Sequence, residues 1–167
     1  RRRRRRPVII YTDAMYNPTV PDAGRVGVVI YDPDDPVKWR FAAAVVPAWV
    51  YARMRKREQY VGQLEILAAV LAYTSRPDQL RGRDIIHFID NSGAEAGLVR
   101  GYSRDVDSAR MASIFHTVAA ALGANVWFEY VASKANIADL PSRGDFELLR
   151  SPRFSAVEFE LILSLIH

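Results

Sequence analysis

Four carboxylates in this chain stand where their type and spacing suit chemistry: Asp13, Glu65, Asp90 and Asp139. Asp13 follows the apolar run Val8 to Tyr11. Asp90 ends the run Ile85, Ile86, Phe88, Ile89, so it belongs at the C-terminal end of a strand, the edge where open α/β sheets bind ligands. Glu65 lies beside an apolar helical stripe, and Asp139 follows the last strand-like run. Carboxylates gathered in one place repel one another, so a fold that collects them needs cations, and oxygen-only ligands select magnesium or manganese. Two such ions about 4 Å apart activate a water and stabilise the leaving oxygen of a phosphodiester. Plainer readings stand beside this one. Asp, Asn and Ser before a helix are ordinary N-caps, which fits Asp90 to Ser92, and a lone Glu on a helix is ordinarily surface decoration.

The elements that must position these residues follow from periodicity. The nearly continuous apolar run Ile85 to Ile89 predicts a strand buried on both faces, followed by a helix over Ala94 to Val99. Val8 to Tyr11, Arg25 to Tyr31 and Val37 to Val46 are three β-rich runs joined by turn residues, which predicts an antiparallel meander. Glu58 to Tyr73 changes to helical period, with Val61, Leu64, Leu67, Ala68 and Leu71 on one face. Glu65 sits at the edge of that face, so its carboxylate should not point straight into solvent. Ser108 to Leu122 reads as an Ala-rich helix ended by Gly123, and Asn125 to Val131 as a further strand. The order β-β-β-α-β-α-α-β-α predicts an α/β fold with a mixed five-stranded sheet, three strands antiparallel and two parallel, and helices on both faces.

At 167 residues, half of them hydrophobic, the chain can bury a core without disulfides or a structural metal. We read residues 1–7 as a basic tail and 8–167 as one domain, with 145–167 as a C-terminal extension. The extension is rich in apolar residues (Phe154, Phe159, Leu161, Ile162, Leu163, Leu165, Ile166), and it either packs on the core or marks a chain cut from a longer polypeptide. The absence of cysteine excludes a disulfide scaffold, a thiolate metal site and a thiol nucleophile. No apolar stretch is long enough to cross a bilayer, so we expect an intracellular protein with no membrane partner. Of the 23 basic residues, six are Arg1 to Arg6, and the other 17 face 19 acidic residues. The net basicity therefore sits in the tail, which suits a nucleic-acid arm, a nuclear address or a remnant of cloning. Arg53, Arg55, Lys56 and Arg57 form the one other basic cluster, either solvated or in contact with a phosphate backbone.

Four segments carry a resemblance: YTDAMYNP with GRVGVVIY, GQLEILAAVLAY, HFIDNSGAEAGLVRG, and ANIADLPSRG. Together the chain resembles the ribonuclease H domain family, and is most similar to the ribonuclease H domains of retroelement reverse transcriptases. The resemblance implies metal-dependent hydrolysis of the RNA strand of RNA/DNA hybrids by a two-metal-ion mechanism. It makes Asp13, Glu65, Asp90 and Asp139 the catalytic metal ligands, with two magnesium ions for which manganese can substitute. It also implies substrate contacts from Asn17, Gln63, Asn91 and Arg143, and reverse transcriptase domains as attached or associated partners. Asn17 and Gln63 are candidates for the 2′-hydroxyl contacts that tell RNA from DNA.

Two departures from the family pattern stand out. Family members often carry a histidine about ten residues before the last Asp, where this chain has Glu129 and Tyr130; His87 and His116 fall on a strand and a helix and read as structural. The basic helical handle is also missing, because Gly101 to Asp107 is too short to hold it. The Arg tail, Arg53 to Arg57 and Arg143 are the candidates to replace it. The competing reading is a catalytically silent ribonuclease H-like module that binds nucleic acid or scaffolds a polymerase assembly. Integrases, resolvases and exonucleases share the superfold as well.

Overall fold

The computed structural model describes residues 4–166; Arg1 to Arg3 of the basic tail and His167 lie outside the described residues. A sheet forms its centre, its strands, counted along the chain, lying in the order fifth, fourth, first, second, third, sixth. The strands β1 (Val8–Tyr16), β2 (Gly24–Tyr31) and β3 (Trp39–Val45) make the expected antiparallel meander. A short helix α1 (Ala48–Ala52) then leads into α2 (Val61–Ser75) and α3 (Pro77–Leu80). β4 (Asp84–Ile89) pairs parallel to β1, α4 (Ser92–Arg100) and α5 (Val106–Leu122) follow, and β5 (Asn125–Tyr130) pairs parallel to β4. The chain closes through α6 (Asp139–Ser142), α7 (Glu147–Arg150) and a sixth strand, β6 (Val157–Glu158). The mixed sheet with helices on both faces is thus as expected, with six strands among the described residues instead of five. The extra strand is two residues long and lies parallel to β3, too short to leave a period-2 pattern in the sequence.

α2 carries the core. Every residue from Leu64 to Tyr73 is buried, because α4 and α5 cover the side of the helix turned away from the sheet. The opposite face of the sheet is covered more thinly, by α6 and α7 over Val29, Phe41, Ala138 and Leu149. That asymmetry corrects the expectation for β4: Ile85, His87 and Ile89 are buried, but Ile86 and Phe88 are only half-buried, with Phe88 stacked on Tyr11 at 5.0 Å. The extension covers the β3 edge, where the Phe159 amide donates to the Phe41 carbonyl at 2.9 Å. Leu161 is buried, and Phe159 packs on the core. No helix among the described residues is long and apolar enough to cross a membrane.

Candidate active site

The register of the parallel pair places the first two carboxylates. β1 and β4 stay in step from Val8↔Ile85 to Tyr11↔Phe88, and β4 then ends. Asp13 and Asp90 each lie two residues beyond the last pair, so they emerge side by side at the C-terminal edge. α2 crosses this edge and brings Glu65, which is 2% exposed and takes the Ala14 amide on Oε1 at 3.3 Å. Asp13, Glu65 and Asp90 each offer an oxygen within 4.8 Å of the others. The capping alternative for Asp90 is answered by its neighbour, because Asn91 is the N-cap of α4 and accepts the Ala94 amide at 2.9 Å. Asp90 is left to the cluster.

The electrostatics are those of crowded anions. Burial, with the Asp90 charge added, pushes the Asp13 carboxyl up to about 6. Burial, with Asp13 and then Asp90 beside it, pushes Glu65 up to about 10. Glu65 Oε2 is buried without a hydrogen-bond partner. An orphaned carboxyl oxygen inside an all-oxygen donor set fits a hard divalent cation, which would supply the missing partner and favour the ionised form of all three groups.

The other expected residues are placed as follows. Asp139 opens α6 and lies outside the three-carboxylate group, its Oδ1 accepting from Arg143 Nε at 2.9 Å. Arg143 is otherwise exposed. Gln63 donates through Nε2 to Asp105 (3.4 Å) and Ser108 (3.2 Å), which leaves its Oε1 as an acceptor. Asn17 serves its own turn, accepting from the Thr19 amide and hydroxyl. Arg57 is not free to meet a phosphate: it bridges Asp105 and Asp107 at 2.8 and 2.7 Å. Arg4 pairs with Asp84 and Arg6 with Asp34, beside the start of β4 and the β2–β3 turn, at the sheet end opposite the carboxylates. His87 is buried between Thr12 (2.7 Å) and Tyr73 (3.1 Å), and burial lowers its pKa to about 3, so it is a neutral core residue. Glu129 accepts from the Trp127 indole at 2.7 Å, and Tyr130 is exposed beside it.

Sequence reasoning gave no role to two residues of the ANIADLPSRG segment. Asn136 is buried and donates to the Thr12 carbonyl at 3.0 Å, fastening this segment to β1 next to Asp13. Ser142 is fully buried and donates to Asp13 Oδ2 at 3.1 Å.

No protein-family model matches the chain, and no curated protein matches it either. Solved structures do. A ribonuclease H1 from the halophilic archaeon Halobacterium salinarum aligns with 85% of this chain and 98% of its own, with a TM-score of 0.62 at 18% identity. The chain has the ribonuclease H fold. The N-terminal ribonuclease H domain of a Mycobacterium tuberculosis protein is similar over 85% of this chain and 94% of its own (TM-score 0.61, 12% identity). LC11 ribonuclease H1, solved in complex with an RNA/DNA hybrid, covers 86% of this chain and 99% of its own (TM-score 0.58, 15% identity). In this ribonuclease H fold the carboxylates of β1, α2 and β4 meet at one sheet edge, where the order of the strands along the sheet reverses.

Proposed function

We propose that the protein is a divalent-metal-dependent endonuclease that hydrolyses the RNA strand of RNA/DNA hybrids. The observation that carries this reading is the convergence of Asp13, Glu65 and Asp90, with Glu65 Oε2 left unpartnered, at the edge of a ribonuclease H fold. A similar structure of that fold holds an RNA/DNA hybrid. Asp13, Glu65 and Asp90 would hold the metal, and Asp139 would close the set from the rim of α6. Two magnesium ions there would supply activation of the attacking water and neutralisation of the leaving oxygen. The protein's own residues do the remainder. Asp13 lies within β1 and Asp90 immediately after β4, each two residues past the last β1–β4 pair, so the paired strands set how far apart they stand. Arg143 offers an exposed guanidinium beside Asp139, suited to a phosphate next to the scissile bond. Gln63 presents an acceptor oxygen, which suits a donor such as a ribose 2′-hydroxyl.

The test is incubation with end-labelled RNA/DNA hybrid, double-stranded RNA and duplex DNA, with magnesium and with chelator. Magnesium-dependent cutting of the hybrid's RNA strand alone is expected. Binding without cutting would instead support the silent module, and cutting of duplex DNA would move the protein to another branch of the superfold.

A further inference from the structure

We propose that Ser142 is a positioning residue for the site: its hydroxyl fixes the orientation of the Asp13 carboxylate and ties to it the helix that carries Asp139. This rests on the reading of Asp13 as a metal ligand.

In the β1–β2 register Gly27 stands directly across from Asp13. A Cβ there would lie 2.7 Å from the Ala138 carbonyl oxygen and 3.0 Å from Ser142 Cα, and would collide with the Ser142 amide. Backbone cannot give way as a flexible side chain can, so the bare glycine is what lets α6 lie flush on β2 beside Asp13. At four residues α6 is too short to hold itself together, and its position is set by this packing.

Flush packing delivers Ser142 to one place. Its side chain is fully buried, with Oγ 3.1 Å from Asp13 Oδ2 and 2.9 Å from the Asp139 carbonyl oxygen. A hydroxyl has one proton to give, and an ionised carboxylate is a stronger acceptor than a carbonyl. The need for such a bond is also physical. The terminal torsion of an Asp side chain has a broad, roughly two-fold profile, so nothing intrinsic sets the angle of its carboxylate. Asp90 crowds Asp13 with like charge and would turn it away. Asp13 itself is 5% exposed, so bulk water cannot supply the hydrogen bond that Ser142 makes.

The experiment uses the full chain and three variants. Ser142→Ala removes the hydroxyl, Ser142→Cys keeps a side chain at the site with a poor donor, and Ser142→Thr keeps the hydroxyl. Manganese and magnesium affinities are measured by calorimetry without substrate, and metal-free crystals of wild type and Ser142→Ala are compared at Asp13. Ser142→Ala and Ser142→Cys are expected to bind metal about tenfold more weakly, with Ser142→Thr within about twofold of wild type. The Asp13 carboxylate is expected to turn in the Ser142→Ala crystal. A purely structural serine would lower thermal stability without moving metal affinity. Unchanged affinity in Ser142→Ala therefore overturns the proposal. If wild type itself takes up no metal, the proposed function fails, and the Asp13 orientation still decides the positioning claim: turned upholds it, unturned overturns it.

Discussion

Glu65→Gln should stabilise the protein in the absence of metal, and by an amount that depends on pH. Glu65 has an ordinary value of 4.5 and is pushed up to about 10, chiefly by burial and then by the Asp13 charge. Between those values the native state holds a proton that the unfolded chain has released. Stability is therefore fully present below about 4.5 and is lost as pH rises toward 10. From pH 4.5 to pH 7 this amounts to about 3 kcal/mol, at roughly 1.4 kcal/mol per pH unit. Asp13, raised from 3.8 to about 6, adds a loss of the same sign that is complete once pH exceeds 6. Glutamine is neutral in both states and keeps an oxygen for the Ala14 amide, so the Glu65 share disappears. Urea unfolding in chelator should show Glu65→Gln more stable than wild type by about 3 kcal/mol at pH 7, a rise in Tm of roughly 6 to 12 °C. At pH 4 the two proteins should coincide. A gain as large at pH 4 as at pH 7, or a loss at pH 7, would refute the electrostatic reasoning. Saturating magnesium should reverse the order, because the wild type alone keeps its full ligand set.

Three further outcomes are expected. Asp32→Ala should cost about 3 kcal/mol in urea unfolding, because it removes the two bonds at 2.8 and 2.9 Å that hold the buried Arg83 guanidinium and leaves it the Arg6 carbonyl at 3.1 Å and the Asp34 carboxylate at 4.0 Å. Deleting Arg1 to Arg6 should leave the slope of log hybrid affinity against log salt within about one unit of wild type, since Arg4 and Arg6 are paired far from the carboxylates; a larger fall would assign the tail to phosphates. Turnover should rise with pH without a falling limb near neutrality, and Tyr130→His or Glu129→His should add a titration there; if neither changes the profile or single-turnover cleavage, the missing histidine does not limit this enzyme.

Asp13, Glu65 and Asp90 were legible in the sequence because each is fixed by a local pattern: a strand that stops, or a helix whose apolar stripe the Glu borders. What periodicity does not carry is register. That Asp13 and Asp90 emerge level with each other depends on the pairing of β1 with β4, and residues more than seventy positions apart leave no joint signal in one chain. The same limit hid Ser142, whose partner Asp13 is 129 residues away, and Gly27, whose role appears only when α6 is laid upon it. Asp90 looked like a cap because Asp and Asn are equivalent at that position until the hydrogen bond is seen to belong to Asn91. Arg57 looked free because Asp105 and Asp107, which hold it, lie on the far side of β4 and α4 in the chain.

The central claim is that these carboxylates make the protein a nuclease for the RNA strand of a hybrid. Single-turnover cleavage of a hybrid labelled on its RNA strand, with wild type and Asp90→Asn purified side by side in magnesium, tests it most directly. Cutting by wild type is expected, with a loss of at least about a hundredfold in Asp90→Asn, roughly 2.7 kcal/mol of barrier, and a native-like melt. Equal cutting by the two proteins, or none by wild type in magnesium or manganese, would contradict it.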